Sequence, residues 1–224
     1  MHKRVCLLIC LAALTGIATA SHARADVGDR DGDRDGYRDN VRLYGGLWLG
    51  FGGSADVDYS VDTPLGPFGA GGDDDRVTTI GGQVGFDIPI MRFLSLGAEA
   101  RVGSFNTEAL DDNDVDRSKL IDLDFKPRLT FPLRRSPIEL YFTTPIGLTI
   151  PVLADDFGDG DAVDANPGWN LGIGGGINFW IARRFALNLE PMYLMHWFDL
   201  DVPVGGGEVK LQQFTLFFNA VFAL

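Results

Sequence analysis

The chain has 224 residues, a formal charge of -12 and 29 glycines, and its length suits one domain. A chain this acidic lacks the basic face that nucleic-acid binding requires, so we predict no nucleic-acid partner. Both cysteines, Cys6 and Cys10, lie near the N-terminus, so the rest of the chain has no cysteine for a disulfide.

Residues 1–25 have the features of a secretory signal peptide. A basic start precedes an apolar stretch, residues 5–18, which is short for a membrane-spanning helix of roughly 20 residues. Small residues precede two candidate cleavage sites, after Ala20 or after Ala25, and we prefer Ala25. Cleavage there removes basic residues and no acid, so the mature chain is still more acidic.

Residues 26–40 form a polar, glycine-rich segment with little to bury, which predicts a flexible acidic tail on the periplasmic side. The tail contains Asp31-x-Asp33-x-Asp35-Gly36, the opening of an EF-hand-like calcium loop. The full pattern requires a bidentate Glu at its twelfth position, where this chain has Arg42. We therefore favour a solvated Asp/Arg repeat over a calcium site and predict no metal or cofactor.

From residue 41 onward, eight segments alternate between apolar and polar residues, and this period of two is typical of β-strands. In the clearest segment, Ile121, Leu123 and Phe125 alternate with Asp122 and Asp124. A helix is excluded because charges at every second position would circle it. The predicted strands are residues 41–53, 77–88, 93–104, 119–131, 138–152, 169–181, 185–198 and 209–224.

Three prolines, Pro127, Pro145 and Pro191, lie inside predicted strands, where a missing N–H interrupts the ladder. We expect bulges at these positions, or strand ends that extend beyond the membrane. A short alternating piece, residues 57–61, predicts that the first hairpin also extends beyond the membrane. If this piece belongs to a further pair of strands, the barrel has ten strands, and this count is the alternative.

The connections between these segments alternate in length and in charge. The short ones contain no acid and carry Arg92, Arg134, Arg135, Arg183 and Arg184. The long ones, rich in Asp, are residues 54–76, 105–118, 154–168 and 199–208. Transmembrane barrels have this asymmetry, with tight periplasmic turns and longer outer loops.

The last segment places Phe214, Leu216, Phe218 and Phe222 on one face and ends on a hydrophobic residue, Leu224. It resembles the closing strand of bacterial outer-membrane barrels, in which the last residue is usually Phe. With the eight-segment pattern, residues 41–224 resemble the small OmpA/OmpX-like barrels. The resemblance implies an all-β, eight-stranded antiparallel up-and-down transmembrane β-barrel in the Gram-negative outer membrane, inserted by the barrel-assembly machinery. We expect the last strand to pair with the first.

In a membrane the apolar face of each strand turns toward lipid and the charged face turns into the lumen. A soluble, lipocalin-like barrel with the opposite arrangement is the alternative. Eight strands leave room only for side chains, so the charges are expected to pair and fill the lumen. Glycines of the sixth segment, such as Gly174, should leave room for Arg101 or Arg128. The predicted inward set is Arg42, Asp87, Glu99, Arg101, Asp122, Asp124, Lys126, Arg128, Glu139, Glu190 and Lys210.

No catalytic constellation is present in the sequence, and a lone histidine, His196, is expected to be a strand-end residue, so we predict no enzyme. We favour a structural or surface-interaction role, with a porin-like narrow channel or a carrier for small or apolar solutes as the alternative. The expected partners are outer-membrane lipid and lipopolysaccharide. Acidic stretches at residues 73–75, 111–114 and 155–156 could bind divalent cations weakly, although simple solvation is favoured.

Overall fold

The computed structural model describes residues 40–63, 66–106, 118–133, 136–152, 164–202 and 205–224. The predicted signal peptide, the acidic tail and its EF-hand-like pattern lie outside these residues. Within the described part of the chain, no helix is both long and apolar enough to cross a membrane.

The described residues form one antiparallel sheet of ten strand segments. Since β5 and β6 both pair with β4 and β8 in an unchanged register, they are two halves of one strand. A two-residue segment, β7, pairs only with β9. The barrel wall therefore has eight strands, as predicted. The segments are β1 (Arg42–Thr63), β2 (Gly66–Met91), β3 (Leu94–Asn106), β4 (Ser118–Pro132), β5 (Ile138–Thr143), β6 (Ile146–Val152), β7 (Asp164–Ala165), β8 (Gly168–Ala182), β9 (Phe185–Val202) and β10 (Gly205–Ala223).

The barrel closes through the pairing of its last strand with its first. β10 pairs with β1 from Arg42 opposite Ala223 to Val61 opposite Gly205. The other wall strands pair with their neighbours in chain order, which makes the barrel up-and-down. Closure removes the open sheet edges whose backbone groups lipid could not satisfy. The predicted pairing of the first and last strands is confirmed.

Two hairpins are much longer than the sequence pattern predicts. β1 and β2 pair as far as Thr63 opposite Gly66, and β10 and β9 pair as far as Gly205 opposite Val202. The prediction of loops at residues 54–76 and 199–208 is therefore wrong, whereas the predicted extension of the first hairpin is confirmed. The glycine-rich start of β2 has no apolar alternation, so nothing in its sequence distinguishes it from a loop.

The three prolines interrupt the ladder without inserting a residue. The register of β4 against β5 and β6 is the same on both sides of Pro127 and Pro145, and that of β10 against β9 continues past Pro191. Thr144 and Pro145 belong to no strand, but the Pro145 carbonyl accepts a hydrogen bond of 2.8 Å from the N–H of Gly172. The prediction of bulges at these prolines is wrong.

A bulge lies instead in β1. The register of β1 against β10 shifts by one residue between Phe51 and Ser54, and Gly52 within the shift has φ of 61°. Glycine adopts this left-handed conformation without the steric penalty of other residues. The extra residue moves the inward positions from even to odd numbers, so that Trp48 before it and Ala55 after it are both buried.

Candidate functional site

The alternation along the strands separates a lipid-facing surface from a lumen. On β10, Phe214, Phe218 and Phe222 are exposed, whereas Gln213 and Thr215 are fully buried. The other wall strands share this arrangement, with aliphatic and aromatic side chains outside and charged or amide side chains inside. A water-soluble barrel would show the opposite, so the observed arrangement is that of a membrane barrel.

The charged residues predicted to face inward are buried in the lumen, with one exception. Lys210 is half-buried on the outward face, because the buried positions of this part of β10 are odd-numbered, such as Val209 and Leu211. The prediction for Lys210 is therefore wrong. The buried members of the set are Arg42, Asp87, Glu99, Arg101, Asp122, Asp124, Lys126, Arg128, Glu139 and Glu190.

At the centre of the lumen, Lys126 on β4 connects carboxylates from two sides of the wall. Its Nζ lies 2.8 Å from Oε2 of Glu99 on β3 and 2.7 Å from Oε1 of Glu190 on β9. The hydroxyl of Tyr44 donates a 3.1 Å hydrogen bond to Oε2 of Glu99, and the hydroxyl of Tyr141 donates one to Glu190. Each carboxylate therefore contacts the same ammonium closely and accepts a hydrogen bond from one phenol.

Arg128, two residues further along β4, fills the space between two inward aromatic rings. Its guanidinium carbon lies 4.1 Å from the ring centroid of Tyr141 and 5.4 Å from that of Tyr44. Its Nη1 lies 2.5 Å from Oδ2 of Asp87 on β2. The guanidinium thus combines an ion pair with two cation–π contacts, an arrangement that suits a buried arginine.

Near the end of the barrel that carries the short turns, a further pair crosses the lumen. Arg42 on β1 donates hydrogen bonds of 2.6 and 3.2 Å to the two oxygens of Glu139 on β5. The side-chain amide of Asn178 donates a 2.8 Å hydrogen bond to Oε1 of the same glutamate. This bidentate contact is the strong form of a carboxylate–guanidinium pair.

Toward the other end, a second polar cluster surrounds two aspartates of β4. Nη2 of Arg101 lies 2.6 Å from Oδ2 of Asp124 and 3.4 Å from Oδ2 of Asp122. Nε2 of His196 lies 3.2 Å from Oδ2 of Asp122, and Thr149 donates a 2.6 Å hydrogen bond to Oδ1 of that aspartate. The prediction that His196 is a strand-end residue is wrong, because β9 continues to Val202 and the imidazole is buried in the lumen.

Inward aromatic rings occupy the space above glycines on neighbouring strands. A Cβ on Gly85 would lie 2.5 Å from Cζ of Tyr44, and one on Gly176 would lie 2.5 Å from Cζ of Tyr141. In the sixth predicted segment, Tyr141 covers Gly176 and the side chain of Met192 lies against Gly172 and Gly174, so the predicted filling of this room by Arg101 or Arg128 is wrong. The sequence shows the glycines but not which neighbour covers them, since that depends on the cross-strand register.

The lumen becomes apolar toward the end that carries the acidic connections. One buried cluster consists of Ala55, Leu120, Phe198, Leu200, Val209 and Leu211. Two other apolar clusters lie elsewhere in the lumen: Trp48, Met192, Leu194 and Phe217 near its middle, and Tyr44, Trp180, Ala186, Val221 and Ala223 toward the short turns. The sequence prediction missed this change, although the start of β10 is a signal of it, because there apolar Val209 and Leu211 alternate with Glu208, Lys210 and Gln212, and the apolar residues are the buried ones.

Metal ligands are not assembled in the described part of the chain, where no group of three His, Cys, Asp or Glu side chains could hold a metal ion. The acidic stretches at residues 111–114 and 155–156 lie outside the described residues. Weak binding of divalent cations by these stretches therefore stays a prediction.

No protein-family model matches the sequence, and no curated protein sequence matches it. Solved structures do match. The crystal structure of the outer membrane protein OprG from Pseudomonas aeruginosa has a TM-score of 0.61 at 12% identity, with coverage of 86% of this chain and 100% of that chain. The solid-state NMR structure of the outer membrane protein AlkL in DMPC lipid bilayers has a TM-score of 0.52 at 13% identity, with coverage of 90% of this chain and 96% of that one.

At such low identity these similarities concern the fold. They agree with the closed wall of eight strands and with the apolar outer surface, the two features that lipid requires of a spanning barrel. The chain therefore has the fold of the small bacterial outer-membrane β-barrel proteins, as the OmpA/OmpX-like resemblance predicts, and this fold and the apolar outer surface together agree with a location in the outer membrane.

Proposed function

We propose that this barrel is closed and serves a structural or surface-interaction role. The observation that carries the proposal is the contact of Lys126 with both Glu99 and Glu190, since all three side chains are fully buried and span the lumen from β4 to β9. An eight-stranded barrel has an interior that side chains can fill. Here charged and aromatic side chains fill it.

Passage of an ion would require this filling to separate at several levels. The pair between Arg42 and Glu139 lies closer to the short turns than the Lys126 contacts do. The apolar cluster that contains Leu120 lies on their other side, toward the acidic connections. Separating a buried ion pair leaves uncompensated charge, which is costly. An apolar layer also offers no groups to replace the hydration shell of an ion. These barriers in series favour a closed barrel over a narrow channel.

A surface role is supported by the charge of the extended hairpins. Asp58 on β1, Asp199 on β9 and Glu208 on β10 are exposed at the end away from the short turns. These strands continue beyond the positions that the sequence assigns to the membrane. The protein would thus present an acidic sheet to partners outside the cell, while lipid and lipopolysaccharide surround its wall and the barrel-assembly machinery inserts it.

Single-channel recording in planar lipid bilayers tests the closed barrel. The native protein should insert without a steady unitary conductance. The quadruple variant Arg42→Ala/Leu120→Ala/Lys126→Ala/Tyr141→Ala, which removes the cations of the Arg42 and Lys126 ion pairs, one ring and one side chain of the apolar layer, opens all three levels and should conduct, and so show that the assay detects an opened lumen. Lys119→Ala, an exposed change on the same strand, should stay silent. A steady conductance of the native protein would overturn the proposal.

A carrier for small apolar solutes is the second candidate, and the inward cluster that includes Phe198, Leu200 and Leu211 is the observation that favours it. An aqueous pore has no need of such a layer. Titration of an environment-sensitive apolar dye into the folded protein should show saturable binding that Leu211→Glu abolishes. Binding that the variant leaves unchanged would assign the dye to the outer surface and remove this candidate.

A further inference from the structure

A cluster of four ionisable side chains lies in the lumen between the Lys126 contacts and the apolar end. Asp122 and Asp124 of β4 share Nη2 of Arg101 on β3, which lies 3.4 Å from Oδ2 of the first aspartate and 2.6 Å from Oδ2 of the second. His196 of β9 is the fourth member, and its Nε2 lies 3.2 Å from Oδ2 of Asp122. All four side chains are buried, and the most exposed of them, Asp124, is 4% exposed.

The permanent charges of this cluster do not balance. Arg101 supplies one positive charge, whereas the two aspartates supply two negative charges when both are ionised. The other polar side chains that contact the cluster, Thr149 of β6 and Asn170 of β8, are uncharged. An uncompensated charge in a buried site is costly. The cluster therefore lacks one positive charge as long as His196 is neutral.

The neighbouring groups along the lumen do not supply the missing cation. On the side of the short turns, two bases already face three acids. These five are Lys126, Arg128, Asp87, Glu99 and Glu190. Glu99 also lies 3.9 Å from Nε of Arg101, where it adds negative charge. β10 presents the ring of Phe217, whose centroid lies 5.9 Å from the guanidinium carbon of Arg101, and toward the other end lies the apolar cluster that contains Leu120.

His196 is the member of the cluster that can supply this charge. Histidine is the side chain that changes between neutral and positive within the physiological pH range. A neutral ring that donates from Nε2 to Asp122 leaves a lone pair on Nδ1, and Nδ1 is buried without a hydrogen-bond partner among the described residues. A proton can therefore add at Nδ1 without breaking a contact, after which two cations face two carboxylates.

We propose that this cluster is a proton-binding site that makes the stability of the barrel depend on pH. The protonated ring of His196 and the guanidinium of Arg101 together neutralise both aspartates. Asp122 and His196 each lie two residues from a member of the apolar cluster, Leu120 and Phe198 respectively. Uptake of the proton thus strengthens the contact between β4 and β9 directly beside this cluster, and loss of the proton weakens it.

The direction of the pH effect follows from the number of protons that the folded and unfolded states bind. Above about pH 7, the unfolded chain has ionised aspartates and a neutral histidine at these positions, so it binds no proton there, whereas the folded cluster binds one. Stability falls as the pH rises wherever the folded state binds more protons. The equilibrium constant for unfolding should therefore rise with pH, by at most about tenfold per pH unit for one proton. Below about pH 6 the dependence should level off, because the histidine of the unfolded chain is protonated as well.

Equilibrium urea unfolding of the full-length protein in phospholipid vesicles, measured between about pH 6 and pH 8, tests the proposal. The unfolding constant of the native protein should rise by roughly tenfold over this range. His196→Gln keeps a donor for Asp122 but binds no proton, and Asp124→Asn removes the unbalanced charge, so each should lose most of the rise. Asp199→Asn, which removes an exposed acid from the strand that carries His196, should keep it.

NMR with isotope-labelled histidine measures the protonation state directly, and it decides alone if a variant does not migrate as a folded barrel in a gel. The variant His2→Gln/His22→Gln leaves His196 as the sole histidine and alters no side chain of the lumen. Both ring nitrogens should carry a proton in the folded barrel at about pH 7, where most of the rings in the urea-unfolded chain are neutral. A neutral ring in the folded barrel at that pH, an unfolding constant of the native protein that does not rise, or a rise that His196→Gln or Asp124→Asn retains would overturn the proposal.

Discussion

Replacing Lys126 by methionine isolates the charge at the centre of the lumen. Methionine keeps an unbranched side chain of similar length but removes the ammonium that lies 2.8 Å from Glu99 and 2.7 Å from Glu190. Two buried carboxylates then lose their shared cation. Removing one partner of a buried pair typically costs about 3–5 kcal/mol.

Two neighbouring arginines reduce this loss of stability. Nε of Arg101 lies 3.9 Å from Glu99, and Nη2 of Arg128 lies 3.8 Å from Glu190, so each carboxylate keeps a more distant cation. We therefore expect the lower part of that range, a loss of about 3 kcal/mol in the free energy of unfolding. With a urea dependence of about 1–3 kcal/mol per molar, the unfolding midpoint should fall by about 1–3 M.

Equilibrium urea unfolding in phospholipid vesicles, followed by tryptophan fluorescence and by gel migration without boiling, measures this change. Lys119→Met, an exposed change on the same strand, should alter the free energy of unfolding by less than about 0.5 kcal/mol. The triple variant Lys126→Met/Glu99→Gln/Glu190→Gln should recover most of the loss, because it removes the unpaired charges. If Lys126→Met behaves like Lys119→Met, or if the triple variant recovers nothing, the lumen is not held by charge pairing.

Three further changes test other parts of the wall by the same unfolding measurement. Gly85→Ala places a Cβ 2.5 Å from an inward tyrosine ring and should cost about 1–3 kcal/mol, whereas Gly82→Ala, whose nearest contact would be 3.6 Å away, should be nearly neutral. Gly52→Ala should destabilise the barrel by about 1 kcal/mol or more because φ is 61° there, and the Asn variant should lose less. Trp197→Ala removes a ring stacked 3.9 Å from that of Trp169 and should cost at least about 0.5–1.5 kcal/mol, and an unchanged midpoint would show that the stack contributes nothing.

Much of the wall could be predicted from the sequence because its strands are amphipathic with a period of two. Asp122 and Asp124 alternate with Leu123 and Phe125, and the structure buries the first pair and turns Phe125 toward lipid. The inward position of the charged residues follows from the same pattern, because the polar face of each strand in a membrane barrel turns into the lumen.

The remainder depends on information that a local pattern lacks. The bulge at Gly52 changes the inward parity of β1, and a shift of one residue reverses every later assignment. Lys210 was assigned to the wrong face because the alternation is reversed in residues 208–212, where Val209 and Leu211 face inward and the polar residues face outward. The partners of Lys126 could not be predicted either, because contact across the lumen depends on how strands that are distant in sequence are staggered around the barrel.

The position of the charge network explains how the wall tolerates its prolines. Lys126 lies at the level where β4 meets the break between β5 and β6, which is at Thr144 and Pro145, and Glu190 directly precedes Pro191. At this level the backbone ladder between β4 and β5/β6 is interrupted, and so is the ladder between β8 and β9. At the same level, ion pairs connect Lys126 on β4 to β3 and β9, and the hydroxyl of Tyr141 connects β5 to Glu190 on β9, so side-chain contacts across the lumen hold these strands next to the interruptions. A slip of one residue in either strand would turn Lys126 or Glu190 toward lipid, where an ionised side chain is very unfavourable. The network that closes the lumen therefore also specifies the register of the strands whose ladder the prolines weaken.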